Sequence, residues 1–200
     1  MSFVKTALLM LLLVAVAIGA RIWLLDGNGN APQEAAQQTI GGPFTLVNGK
    51  GETVTEAAFK GQYMLVYFGY TYCPDVCPTA LQVMAQALDQ LPAETSAKIT
   101  PIFISIDPER DTPEHVGQYV THFYPTLVGL TGSPEQVKAA AAAYRIYYAK
   151  VEEKGADPDA YLMDHSAITY LMGPDGGYLA FFGHDTTPEQ MAERLAKQVK

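Results

Sequence analysis

The chain carries two cysteines, Cys73 and Cys77, in the stretch Phe68-Gly-Tyr-Thr-Tyr-Cys73-Pro-Asp-Val-Cys77-Pro78. Two sulfurs at this spacing support three chemistries: a structural disulfide, a dithiol redox couple, or a soft-metal site that selects copper(I) or zinc. A ring this small removes little unfolded-chain entropy, which weakens the structural reading. A metal needs a third ligand from elsewhere, and the chain offers four histidines. His115 and His122 stand seven residues apart on an expected helix and share one face; with no acidic or cysteine neighbours placed for binding, they read as solvated surface. His184 follows the last expected strand and reads as a loop residue. His165, in Asp164-His165-Ser166, ends the long loop Glu152–Met163 directly before an expected strand; alone, it is as well explained by a structural hydrogen bond. Two prolines shape the cysteine segment. A helix begun at Pro74 would carry Pro78 inside it, at a cost of about 3 kcal/mol. The sequence therefore predicts a turn over Cys73–Asp75 and a helix from Pro78, with Cys77 at its cap. The free amides and dipole of that end favour a thiolate.

The elements that must hold these groups follow from the apolar pattern. Phe44–Val47, Asn48-Gly49 and Glu52–Thr55 read as a hairpin. Tyr63–Phe68 and Ile102–Ile106 are apolar runs suited to strands buried on both faces. Leu81, Met84, Ala85, Leu88 and Leu91 recur at helical spacing, and Pro92 stops that helix. Thr112-Pro113 opens a second helix, and Ser133-Pro-Glu-Gln136 and Thr187-Pro-Glu-Gln190 are capping boxes that open two more. Leu127–Leu130, Ile146–Val151 and Ala167–Met172 read as strands. Pro174-Asp-Gly-Gly177 turns into Tyr178–Phe182, giving a C-terminal hairpin before the last helix. Alternation of strands and helices predicts an α/β domain over 43–200 with a mostly parallel central sheet. Sites in such folds lie at the carboxyl ends of central strands, which is where both cysteines fall. Asp107–Pro113 follows the second buried strand and reads as a rigid turn.

Composition narrows the function. The chain has 200 residues, 48% hydrophobic and 17% charged, enough apolar content for a buried core. A net charge of −8 argues against a nucleic-acid partner held by phosphate attraction. Residues 1–25 form a separate segment, in which Lys5 and Arg21 flank the uncharged run Thr6–Ala20 and Trp23 follows. An uncleaved transmembrane helix is the favoured reading, with a cleaved signal peptide in competition. Either would export the rest of the chain. Asp26–Gly42 is polar and rich in Gly, Asn and Gln, and reads as a flexible linker.

Three pieces, in register, carry a family resemblance: Tyr-Cys73-Pro-Asp-Val-Cys77-Pro, Phe-Ile-Ser-Ile-Asp107-Pro-Glu-Arg-Asp-Thr-Pro113 and Tyr-Leu-Met-Asp164-His165-Ser. Tyr-Leu-Met-Gly-Pro-Asp-Gly177 and Phe-Phe-Gly183 continue it. The chain resembles the SCO/SenC family of copper-binding, thioredoxin-like proteins across essentially the whole domain, with no departure at the metal-site positions. The resemblance implies that Cys73, Cys77 and His165 bind one copper ion, as Cu(I) or Cu(II). It implies a metallochaperone that loads the copper A centre of cytochrome c oxidase. The implied partners are the oxidase subunit carrying that centre, a copper donor chaperone, and the membrane through the N-terminal helix. The implied place is the inner membrane, single-pass, with the folded domain in the periplasm. Two thiolates and a neutral imidazole suit copper(I). Asp164 is placed to orient His165 through its other ring nitrogen, or else is a solvated loop acid. A second reading is a thiol-disulfide oxidoreductase that reduces the oxidase's copper-site cysteines or acts in redox signalling, using Cys73 and Cys77 as a redox-active pair. Against an ordinary thioredoxin stand the three-residue cysteine spacing and Asp164-His165-Ser166 where a cis-proline belongs.

Overall fold

In the computed structural model, the described residues are Arg21, 40–151 and 161–200. The strands, in chain order, are β1 (Thr45–Asn48), β2 (Thr53–Thr55), β3 (Tyr63–Gly69), β4 (Ile99–Ser105), β5 (Val128–Thr131), β6 (Tyr148–Val151), β7 (Leu162–His165), β8 (Thr169–Met172) and β9 (Tyr178–Phe182). The main helices are α1 (Val76–Asp89), α2 (Pro113–Val120), α3 (Pro134–Ala143) and α4 (Pro188–Gln198). Seven strands form one sheet in the order β2-β1-β5-β4-β3-β8-β9. Thr39–Lys200 packs as one unit.

The apolar run of β3 is buried at every residue because the strand has a neighbour on both edges and is covered on both faces. Thr112, Ser133 and Thr187 cap α2, α3 and α4 by accepting a backbone N–H three residues on, and the last two complete their capping boxes through Gln136 and Gln190. Asn48 shapes the first hairpin: its side-chain oxygen accepts the N–H groups of Lys50 and Glu52. The folded unit is under way by residue 40, where Ile40 packs on the core and the Gly41 N–H donates to the Ala143 carbonyl.

The fold is thioredoxin-like α/β, but the expected mostly parallel sheet is corrected to a mixed, mostly antiparallel one. Only β3/β4 and β4/β5 pair in parallel; β1/β2, β1/β5, β3/β8 and β8/β9 are antiparallel. A crossover helix joins each parallel pair from β3 to β5, and the short turns within β1/β2 and β8/β9 permit antiparallel pairing alone; β1/β5 and β3/β8 pair across long separations, where connection length does not set the direction. A second correction concerns Ile146–Val151. Instead of joining the sheet, β6 pairs with β7 in a separate two-stranded ribbon. Residues 152–160 lie outside the described residues.

A third correction concerns the N-terminus. Among the described residues, no helix is long and apolar enough to cross a membrane. Of the transmembrane helix expected over 1–25 only Arg21 is among the described residues, and most of the linker at 26–42 lies outside them. Its uncharged run, Thr6–Ala20, is fifteen residues, against the roughly 20 a span requires. The membrane partner and the single-pass, inner-membrane and periplasmic placement rested on that helix and are set aside with it.

Candidate metal centre

Both cysteines leave the carboxyl end of β3. Gly69 ends the strand, the chain turns through Tyr70–Tyr72, and the Cys73 N–H donates to the Tyr70 carbonyl at 3.3 Å. Helix α1 starts at Val76, two residues earlier than expected, so Cys77 lies inside its first turn and Pro78 at the third helical position. Proline is tolerated there because the first turn's N–H groups have no intrahelical partner to lose. The first helical bond runs from the Thr79 N–H to the Asp75 carbonyl, 3.1 Å. Asp75 is the N-cap residue by position, yet it gives no side-chain cap. The Cys73 sulfur accepts the Cys77 N–H at 3.3 Å instead. The helix end thus places one sulfur at its mouth and the other within it.

The two sulfurs differ. Both are free thiols; Cys77 is fully buried, whereas Cys73 is half-buried. The hydrogen bond with the Cys77 side chain, followed by contacts with His165 and backbone amides, brings Cys73 down to about 3 against the cost of burial. Cys77 moves up for the reciprocal reasons, its bond to Cys73 first and burial second. The pairing therefore favours a thiolate at Cys73 over one at Cys77.

His165 closes β7 opposite Tyr148. Its Nδ1 lies 3.3 Å from the Ser166 carbonyl oxygen, which only accepts, so this nitrogen carries the proton. Nε2 stands 3.5 Å from the Cys77 Sγ. The structure therefore brings together Cys77 and His165, 88 residues apart in sequence, with Cys73 against both. Asp164 does not take the role anticipated for it: Nδ1 goes to Ser166, and Asp164, adjacent along a strand, is exposed on the opposite side. The rings of Tyr67 and Tyr70 stand edge-on to the imidazole, each 6.1 Å away. The Tyr67 hydroxyl is buried without a hydrogen-bond partner among the described residues. Burial, then the nearby charge of Cys77, pushes its pKa well above the usual phenol range.

Two features escaped sequence reading. Gly69 has no Cβ because a Cβ there would sit 2.8 Å from the Cys77 sulfur. The turn after β4 is more than rigid. Asp111 is buried and accepts from the Ser105 hydroxyl at 2.6 Å, the Thr71 N–H at 3.0 Å and the Thr71 hydroxyl at 2.5 Å, pinning the cysteine loop. An acidic residue at that spacing was visible; its partner forty residues away was not. His115 also differs from expectation. Though exposed, it stacks on Tyr72 of the cysteine loop at 5.5 Å. His122 and His184 are exposed.

Two cysteine sulfurs and an imidazole nitrogen match the donor set of a soft metal. Among the described residues, no group of three or more His, Cys, Asp or Glu side chains stands as a ready-made metal cage. Fold and site together define a thioredoxin-like protein with a dithiol–imidazole centre. The SCO1/SenC family model matches residues 32–200, and the chain belongs to that family. It is 46% identical over 162 residues to the mitochondrial protein SCO1 homolog of Homo sapiens, covering 80% of this chain and 53% of that one. It is 48% identical over 161 residues to protein SenC of Rhodobacter capsulatus, covering 80% and 71%. Among solved structures it is similar to Arabidopsis thaliana ScoI with copper bound, with a TM-score of 0.74 and 44% identity over 79% of this chain and 96% of that one. The chain spans about half the length of the first curated relatives it matches.

Proposed function

We propose that this chain binds one copper ion through Cys73, Cys77 and His165 and delivers it to the copper A centre during cytochrome c oxidase assembly. The family is one of copper-handling assembly factors, and a similar structure holds copper. The observation that carries the reading is the 3.5 Å approach of His165 Nε2 to the Cys77 sulfur. Two donors to one ion, at bond lengths of about 2.0 and 2.3 Å, stand at roughly this separation. Copper is cargo here, so an open site is an advantage: half-exposed Cys73 can exchange to an incoming ligand first. His165→Ala tests the reading. Copper(I) affinity, measured against a competing chelator, should fall by at least tenfold while the dithiol still oxidises, and the variant should not rescue an oxidase-assembly defect. Full rescue would remove the copper-delivery claim.

A second reading draws on the asymmetry of the sulfurs, since an exposed thiolate and a buried thiol also make a dithiol reductant. The Cys73 thiolate attacks one sulfur of a substrate disulfide, whose other sulfur leaves as thiolate. Cys77 gives up its proton to that thiolate and attacks Cys73, releasing the second substrate sulfur. The chain's thiol–thiolate pair becomes a disulfide and the substrate's disulfide becomes one thiol and one thiolate, a balanced two-electron exchange. This reading predicts that His165→Ala keeps full activity, which separates the two.

A further inference from the structure

We infer that Asp107, Arg110 and Tyr161 form a latch that positions His165 for the cysteines; the inference rests on the copper-binding reading above. His165 belongs to the β6–β7 ribbon, which lies outside the main sheet. A two-stranded ribbon is marginal by itself and takes its orientation from what it docks on. Tyr148 and Met163 pack on the core, but apolar contact is not directional. Tyr70 of the cysteine loop hydrogen-bonds the Met163 backbone, and a larger set of directional contacts gathers on Tyr161, four residues before His165. Its hydroxyl donates to the buried Asp107 carboxylate at 2.6 Å. The Arg110 guanidinium lies 3.5 Å from the centre of its ring and donates to its carbonyl at 3.0 Å. Arg110 is itself fixed by Asp107 at 2.6 Å. On the ribbon's other strand, Lys150 reaches both the Tyr161 ring at 3.8 Å and Glu109 at 3.7 Å.

The same turn holds the cysteine loop. Asp111 binds Thr71 by two hydrogen bonds, and Arg110 lies 4.8 Å from the ring of Tyr72. Residues 107–111 therefore dock the loop that carries both sulfurs and the ribbon that carries the imidazole. One short turn thus contacts both sides of the centre, alongside the direct contact of Tyr70 with the Met163 backbone. Tyr161, Arg110 and Asp107 are positioning residues, and they act on the metal only through His165.

Tyr161→Phe in the full chain tests this, because it keeps the ring and removes the bond to Asp107. Copper(I) affinity should fall by about tenfold, in the range seen when a ligand's supporting contact is lost. In a His165→Ala background the same substitution should cost nothing further, since the residue through which it acts is gone. An equal loss in both backgrounds, or no loss in the parent, overturns the latch. The metal-free reduced chain gives an independent readout. Tyr161→Phe should shift and broaden the His165 ring signals in proton–nitrogen NMR and leave those of His122 and His184 in place; unmoved His165 signals overturn the proposal. Should the parent chain take up no copper(I), the function reading falls while the NMR comparison still decides the latch. Arg110→Gln, which loses the contacts to the Tyr161 ring and carbonyl, should act in the same direction and serves if Tyr161→Phe does not fold.

Discussion

Gly69 and Asp111 shape the centre without donating to a metal. An alanine Cβ at position 69 would stand 2.8 Å from the Cys77 sulfur, 2.9 Å from the Tyr67 ring and 3.1 Å from the Phe103 ring, all fully buried. None can withdraw cheaply from a packed interior, so Gly69→Ala should cost about 1–3 kcal/mol in urea unfolding and weaken copper(I) binding as the sulfur is displaced. Asp111 yields a prediction about pH. Burial, the largest influence, pushes its pKa up from 3.8, against the bonds from Ser105 and Thr71 that lower it. The folded state then holds this proton more tightly than the unfolded state. The stability it contributes is full below about 3.8 and declines as pH rises through the raised folded value. Asp111→Asn should abolish that decline, read as the difference in urea midpoint between parent and variant across the acid range; parallel profiles would contradict it.

Among the elements, the helices were readable because their start signals are local. Ser133 and Gln136 sit three residues apart and complete a capping box, and so do Thr187 and Gln190. Ser133→Ala should cost about 1 kcal/mol of stability and leave copper(I) affinity unchanged, since α3 donates nothing to the centre. Thermal unfolding and chelator competition on one preparation check both halves. Helix α1 starts at Val76, two residues before the start that Pro78 suggests, because any position in the first turn accepts proline. The strands were legible as strands, but their partners were not. The run Ile146–Val151 contains apolar residues at strand spacing, and nothing within it says whether it joins the sheet or pairs with β7 beside it.

For the molecule as a whole, a bound ion would tie α1 to the β6–β7 ribbon. A ligand held by the folded state alone stabilises it by mass action, about 2.7 kcal/mol at a hundredfold excess over the dissociation constant. One equivalent of copper(I) should therefore raise the unfolding temperature of the reduced chain and slow amide exchange in β6 and β7. His165→Ala should lose the exchange effect in the ribbon, because the remaining sulfurs both lie on the α1 side. Equal protection in parent and variant would show that the ribbon is not engaged by the metal.

The sequence alone determined what depends on neighbouring residues: the cysteine spacing, the capped helices, the buried run of β3 and the family motifs in register. Even the identity of the third donor came from motif resemblance, since nothing local distinguishes His165 from a structural histidine. Tertiary structure decided whatever depends on contact across long separations. It set the mixed pairing of the sheet, the detachment of the β6–β7 ribbon, the Ser166 carbonyl in place of Asp164 as partner to Nδ1, and the hold of Asp111 on Thr71. The physical reason is that a hydrogen bond or a close approach of rings is made in space. Chain order limits which groups can meet, but packing selects the ones that do.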